Sequence, residues 1–337
     1  MNKSVGVLIV NFNGAADTVR CLEKLALSKN AESIVACVVD NSCSDGEWES
    51  LILGTRNLAV KDEDFGGKPT GELKNPPEFV LIGSLLVLFH KAPKNGGFAY
   101  GCNRARDVIA NHFVCDYWLL LNNDAFVNST AVVSMRDTLA AHPDCKMCGA
   151  VIWDYPDIGK VQAVGGVCYS EWTGRGRNLN SGMSSNEFFG KYSSRQYGFG
   201  VSYISGACLM IRAKAWDAVG GMSERYFLYG EELDFAYRMK ELDGSVIAYR
   251  ANVYHKVGSS IGTGKNKSLG SRLSEFYLAR SKTMICISYR PSRLFGMAAF
   301  LMLRSAKGMV RGEFSSALAV IRGMVSGISV SLREKFQ

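Results

Sequence analysis

Residues 5–40 read VGVLIVNFNGAADTVRCLEKLALSKNAESIVACVVD, and the order of patterns within them decides the fold. Val5–Val10 is an unbroken apolar run, the signature of a strand covered on both faces. Asn11–Gly14 turns the chain. Val19, Leu22, Leu25 and Ala26 then recur at helical spacing, and a second apolar strand begins near Ser33 and ends at Asp40. Strand, helix, strand in so short a space predicts a parallel βαβ unit and hence an α/β protein.

The same grammar continues outward. Lys61–Glu78 carries three of the seven prolines and three glycines among charges, so an inserted loop is expected over about 54–78. FVLIGSLLVLFH (79–90) returns to strand character, and a helix is expected from about Phe98 to Asn111. YWLLLNND (117–124) reads as another buried strand. Ser129 or Thr130 can cap a helix that runs to His142, where Pro143 stops it. The polar clusters Asn11–Gly14, Asp40–Asp45, Asn95–Asn103 and Asn122–Asp124 all fall where strands end. Turns need Asn and Gly, which accounts for any one cluster. Ligands of open α/β sheets bind outside the carboxyl ends of the strands, which accounts for all four as one site.

Of 337 residues, 47% are hydrophobic and 21% charged, which excludes a disordered chain and supplies a large core. The ten cysteines follow no repeating spacing. Cys145 and Cys148 form CKMC, but no second close Cys/His pair completes a zinc site, so the pair reads as chance spacing. So many thiols without a framework fit a reducing cytosol. The first residues read as a strand and not as a cleavable signal. The net charge of +8 is unevenly placed: residues 271–337 hold 11 Lys/Arg and 3 Asp/Glu, so the rest of the chain is neutral. Such an excess calls for an anionic partner.

Candidate chemistry sits at the strand ends. Asp124, flanked by apolar residues in LLLNNDAFV (119–127), offers a carboxylate suited to Mg²⁺ or Mn²⁺. Asn122 and Asn123 can bond a sugar or the loop itself. Gly96, Gly97 and Gly101 surround a helix start, where backbone and phosphate approach each other. Their spacing is not the dinucleotide fingerprint, which argues against a nicotinamide fold. Near Glu231 a helix begins on which Phe235, Ala236, Met239 and Leu242 share an apolar face headed by Glu232. Asp234, Arg238 and Glu241 fall on another side, with Asp234–Arg238 most simply an i,i+4 ion pair. Beside Tyr226, Phe227 and Tyr229, Glu232 is a candidate general base; desolvation raises its pKa and the helix start lowers it. His255 follows the strand SVIAYRANVYH and is either a structural histidine or a ligand for metal or phosphate.

Taken together, VGVLIVNFNG, VVDNSCSDG, NGGFAYGCNRA, WLLLNNDAFV, SGACLMIRAKAWDAVGGMSERYFLYGEELDFAYRM and YHKVGSS resemble family 2 glycosyltransferases, especially the rhamnosyl- and galactofuranosyltransferase-like branch of bacterial surface polysaccharide synthesis. The resemblance covers about residues 5–262. It implies the GT-A fold, a Rossmann-like, mainly parallel mixed sheet flanked by helices. It implies a catalytic domain over 1–265, with a donor half to about 128 and an acceptor half from 129, followed by a basic amphipathic helical region over 266–337.

By the same resemblance, Asn11, Asn13, Asp40, Asn41, Asn95, Gly96, Gly97, Asn103, Asn122 and Asn123 line a nucleoside-diphosphate-sugar donor. Asp124 holds the divalent cation, with help from His255. Gly206, Ala207, Tyr229 and Glu231 lie on the acceptor side, and Glu232 is the base, with Asp234 its rival. Asn122 departs from the family pattern, in which an acid is common, and Glu232 stands where Asp is usual. The implied reaction is inverting single displacement, first guessed as rhamnose from dTDP-rhamnose to a lipid-linked saccharide. A galactofuranosyl- or other hexosyltransferase, or an inactive sugar-nucleotide-binding protein, is the alternative. A nucleotidyltransferase would need a basic Gly-rich loop after the first strand, and a processive synthase would need membrane spans; NFNGAADT and the tail provide neither.

The longest apolar run in the tail, Leu294–Leu303, is too short to span a bilayer and is ringed by Arg290, Arg293, Arg304, Lys307 and Arg311. It reads as an interfacial element on an anionic membrane, at the inner face of the cell membrane, or else as a pair of helices packed on the catalytic domain or in a homo-oligomer. Nothing in it resembles a nucleic-acid reading motif.

Overall fold

The computed structural model describes residues 2–60, 78–239, 244–256 and 272–335. The chain opens with the expected unit: β1 (Asn2–Asn11), α1 (Ala15–Ala26) and β2 (Ile34–Asp40), the two strands parallel with Asn11 opposite Asp40. Next come α2 (Asp45–Val60), β3 (Glu78–Ile82), β4 (Leu85–Lys91), α3 (Phe98–Ala110), β5 (Val114–Leu121), β6 (Ala125–Val127) and α4 (Ala131–Ala141). The middle of the chain forms β7 (Met147–Asp154), β8 (Val161–Val164), β9 (Gly166–Ser170), β10 (Arg175–Asn178), α5 (Ser185–Tyr192), β11 (Tyr197–Gly198), β12 (Tyr203–Ile204), β13 (Cys208–Arg212) and α6 (Ala213–Ala218). Then follow α7 (Glu231–Met239), β14 (Ser245–His255), α8 (Arg272–Tyr289), α9 (Leu294–Val310) and α10 (Phe314–Lys335).

The main sheet has the order β11-β14-β7-β13-β5-β1-β2-β4-β3, with β6 added on β14 and β8 on β7. Its centre, β5-β1-β2-β4, is parallel, and β13 enters antiparallel between β5 and β7. Alternation along the strands sorts the core onto two faces. Val5, Val7, Ile9, Ala36 and Val38 pack toward α1, α2 and α4, while Leu8, Val35, Cys37 and Val39 pack toward α3, α6 and α7. Two-sided burial is the reason these strands read as unbroken apolar runs. β10, β9 and β12 form a second, small sheet.

Several expectations change. FVLIGSLLVLFH is a hairpin of two strands, because Gly83 turns the chain at φ 56. The expected insertion over 54–78 starts too early: α2 continues to Val60, and residues 61–77 lie outside the described residues. Thr130 holds the N-cap position of α4 with no side-chain cap bond, and Ser129 does not cap it. Leu242 and Glu241 lie outside the described residues, as do residues 257–260 of YHKVGSS.

Candidate active site

The carboxyl ends of β1, β2 and β5 share one rim. Asn11, Asp40 and Asn41 are buried there. Asp40 Oδ1 accepts hydrogen bonds from Asn11 Nδ2 at 2.9 Å, from the Ser42 backbone N–H at 3.1 Å and from Ser42 Oγ at 2.6 Å. Its other oxygen, Oδ2, is buried with no partner in the protein, and so is Asn41 Oδ1. Leaving a buried acceptor unpaired costs about 1–3 kcal/mol. Two of them on adjacent residues at a rim offer a ligand's donors a place to bond.

Asn41 Nδ2 donates to the Gly97 carbonyl at 3.0 Å, which joins this corner to the turn before α3. Asn95 Oδ1 accepts the Gly97 N–H at 3.1 Å and closes that turn around Gly96. Asn13 is exposed, in a left-handed conformation, with its N–H on Ser42 Oγ at 2.8 Å. Seven of the ten expected donor residues therefore gather in one hydrogen-bonded corner. Two others are engaged elsewhere. Asn123 turns its amide inward to Thr18 Oγ1 at 3.0 Å and Asn11 Oδ1 at 3.4 Å, tying β5 to the first turn of α1. Asn103 bonds the Met222 N–H and carbonyl at 3.0 and 2.9 Å and Glu224 at 2.8 Å. Its amide fastens α3 to the loop before α7.

Asn122 lies with Asp124 and His255. Its Nδ2 is 3.2 Å from His255 Nε2, and Asp124 Oδ1 is 3.1 Å from the same nitrogen. On the far side of the ring, His255 Nδ1 is 2.7 Å from Gln162 Oε1, a pure acceptor. The Nδ1–H donates to that oxygen, which turns Nε2 toward the Asp124 carboxylate, an ion-pair contact when the ring is protonated. With the ring neutral, Nε2 and the Asp124 carboxylate are an imidazole nitrogen and an oxygen donor side by side, a pair of the kind that Mn²⁺ accepts. Among the described residues no cluster of three or more His, Cys, Asp or Glu forms.

Glu232 reaches this place through one turn. The Asn122 N–H donates to the Ala207 carbonyl at 3.1 Å, so the turn 205–207 is fixed to the end of β5. On its other side, the Gly206 N–H donates to the Glu232 carboxylate. A Cβ at Gly206 would lie 2.2 Å from Glu232 Oε1, so only glycine leaves room for that carboxylate. Burial raises the pKa of Glu232, and its own and the Gly206 N–H groups only partly offset this. Glu231 is more deeply buried; burial and the neighbouring Glu232 charge push its pKa well above the glutamate range. It accepts the Tyr229 N–H, and Tyr229 itself sits at φ 64 with its hydroxyl 3.0 Å from Ser274 Oγ.

Asp234 is placed differently. Its Oδ2 accepts from Arg238 Nε at 2.8 Å and its Oδ1 from the Tyr289 hydroxyl at 2.7 Å, and the residue is 2% exposed. Beneath α8 and with both oxygens engaged, it is the expected ion pair, and as a rival base it has no open oxygen. Cys145 and Cys148 are buried, and burial raises both thiols.

Sequence reasoning missed Gln162 and Glu47. Gln162 is 93 residues from His255, on a short strand that no motif marks. Glu47 accepts the Ala15 N–H at 2.6 Å at the start of α1 and lies 3.4 Å from Asn11 Nδ2. An acid in the first turn of α2 was its only signal.

No family model matches the chain. An N-acetylglucosaminyl-diphospho-decaprenol L-rhamnosyltransferase of Mycobacterium tuberculosis is 34% identical over 79 residues, 23% of this chain and 26% of that protein, so the match spans about a quarter of its relative. A mannosyltransferase of Pyrobaculum calidifontis, solved with GDP-Man and Mn²⁺, superposes with a TM-score of 0.53 at 11% identity, covering 97% of this chain and 88% of that one. S. aureus TarS 1-349 with UDP-GlcNAc gives 0.52 at 12% identity over 88% and 71% of the two chains. GalNAc-T7 with UDP, GalNAc and Mn²⁺ gives 0.52 at 10% identity over 84% and 51%. The sequence resemblance and these superpositions agree: the chain has the GT-A fold of the nucleotide-sugar glycosyltransferases.

Proposed function

We propose that the protein is an inverting, cation-dependent glycosyltransferase that moves a sugar from a nucleoside-diphosphate donor to a saccharide acceptor. The observation that carries this is the turn 205–207, bonded to Asn122 on one side and to Glu232 on the other. It links Glu232 to the strand end whose next residues lead to Asp124. The nucleoside lies at Asp40 and Asn41, whose unpaired oxygens take its donors. The Asn95–Gly97 turn approaches the donor with little side-chain bulk.

Asp124 and His255 would hold Mn²⁺ or Mg²⁺, which when bound would supply Lewis acidity for the departure of the nucleoside diphosphate. Glu232 takes the proton of an acceptor hydroxyl as that oxygen bonds to the anomeric carbon and the bond to the diphosphate breaks. A raised pKa makes Glu232 the stronger base. Glu231, Tyr229, Gly206 and Ala207 shape the acceptor side.

The donor we infer first is dTDP-rhamnose and the acceptor a lipid-linked saccharide, because the partial relative is named a rhamnosyltransferase acting on a diphospho-decaprenol. The enzyme then works on the cytoplasmic face of the membrane in surface polysaccharide synthesis, with the region 266–337 toward the lipid. The test is nucleoside-diphosphate release from a panel of dTDP-, UDP- and GDP-sugars with a lipid-linked acceptor, with Mn²⁺ or with chelator. Release that needs the acceptor and stops with chelator is expected. Full release in chelator, or in Asp124→Ala, overturns the cation site; tight donor binding without release by any donor identifies an inactive binding protein.

A further inference from the structure

α10 has two unlike faces. One packs on α8, where a Cβ at Gly323 or Gly327 would meet the Phe276 or Arg280 carbonyl at 2.3 or 2.7 Å. The other presents Phe314, Leu318, Ile321, Val325, Ile328 and Leu332, which recur every three or four residues and so form one stripe. All but half-buried Ile321 are exposed; Phe314 is 68% and Val325 62% exposed. α9 repeats the pattern with Phe295, Met302, Leu303 and Val310, of which Phe295 is 88% and Val310 89% exposed. Soluble surfaces rarely carry so much contiguous large apolar side chain without a partner.

The exposed charges around these stripes are mostly basic, with Glu313 half-buried in the turn between the two helices. Lys307, Arg311, Arg322 and Arg333 are exposed on the two helices, whereas Glu334 is paired with Arg225 at 2.6 Å. At the start of α9, Arg293 stacks on Trp172 with its guanidinium 3.4 Å from the ring centroid, and Trp172, from the β9–β10 turn, is 58% exposed. Tryptophan beside arginine is the side-chain chemistry of a membrane–water boundary.

We propose that the outer faces of α9 and α10, with Trp172, dock the protein flat on an anionic bilayer. This deepens the membrane-side reading of the tail and does not depend on the donor chemistry. By length and composition Phe314–Glu334 is apolar enough to cross a membrane. Its inner face, however, is fixed to α8, which carries Arg272, Glu275, Arg280 and Lys282, and Glu275 is paired with Arg304 of α9. Crossing would carry those charges into hydrocarbon, so α10 lies in the interface with only its stripe immersed. A second copy suits the stripe less well. The flanking positions Ser315, Arg322 and Ser329 offer no acid to answer Arg322 across a coiled-coil seam, whereas anionic headgroups answer every exposed cation.

The experiment is flotation of the full chain with vesicles of phosphatidylcholine alone or mixed with phosphatidylglycerol, alongside sedimentation equilibrium without lipid. Binding to the mixed vesicles, weakened by salt, is expected from a monomer. Lys307→Gln, Arg311→Gln and Arg322→Gln should each lower partitioning about fivefold, the equivalent of ~1 kcal/mol per charge. Phe295→Gln with Val310→Gln and Val325→Gln should abolish flotation at unchanged thermal midpoint and unchanged donor cleavage with the acceptor dispersed in detergent. Equal flotation on neutral vesicles, no flotation at all, or a dimer that the apolar variant dissociates overturns the proposal. Donor cleavage is read separately, so failure here leaves the catalytic reading standing, and the reverse.

Discussion

At the scale of single residues, the site depends on where protons sit. Gln162 accepts a hydrogen bond from His255 Nδ1 and so turns Nε2 toward Asp124. Gln162→Leu should therefore weaken Mn²⁺ binding about 10–100-fold, read by calorimetry on the unliganded protein, as expected when a ligand's orienting partner is lost. A Gln162→Leu protein that binds Mn²⁺ like the wild type would assign the ring another role. Glu232→Gln should lower kcat about 10²–10⁴-fold while Mn²⁺ and nucleotide affinity stay unchanged. Because burial raises the Glu232 pKa above its ordinary value of 4.5, kcat/KM should fall on the acid side at a pH above that value. Gly206→Ala should mimic Glu232→Gln, since the added methyl occupies the carboxylate's position.

At the scale of elements, α7 and α8 act as one clamp. Tyr289 of α8 donates to Asp234 of α7, Ser281 donates to the Leu228 carbonyl at 3.2 Å, and Tyr237 stacks on Tyr289 with centroids 4.5 Å apart. Tyr289→Phe removes one donor from a buried carboxylate and should cost about 1–3 kcal/mol, measured by denaturant unfolding. Asp234→Asn should lose stability and keep its pH–rate profile if Glu232 is the base; a shifted profile with unchanged stability would transfer that role to Asp234. The element patterns were legible where burial is two-sided or periodic: β1, α1, β2, α3, β5, α7 and β14 lie within a few residues of their expected places. The hairpin β3–β4 reads as one run, although Gly83–Ser84 between two apolar segments is a two-residue hairpin signal. The region from β8 to β12 carries no strong period, since its strands are short and much of it is held by side chains from elsewhere.

At the scale of the whole molecule, the tail completes the core. Tyr226 and Leu233, which precede the tail, are covered by Met284 and Ile285 of α8. A chain ended before Arg272 should expose them and lose cooperative unfolding by circular dichroism; a truncated chain that melts as sharply as the whole would make the tail a separate unit. Glu231 sets a pH dependence of stability. Its pKa is raised in the folded state, so its contribution is fully present below the unfolded value near 4.5 and is lost as pH rises through the folded value. In that window the loss approaches about 1.4 kcal/mol per pH unit. Glu231→Gln should flatten this slope and raise the thermal midpoint at alkaline pH, with little change at acid pH.

The sequence by itself determined the parallel sheet, the strand-end placement of Asn11, Asp40, Asn95–Gly97 and Asp124, and the helix that bears Glu232. Each of these follows from local periodicity and from the limits on which residues can end a buried strand. Tertiary structure alone decided that Asn123 faces inward, that Asn103 fastens α3 to the loop before α7, that Asp234 lies beneath α8, that Gln162 orients His255, and that α10 turns an apolar stripe outward. The physical reason is that orientation and pairing are settled by neighbours far away in the chain. Periodicity shows that a residue belongs to a face, but only packing shows what that face meets.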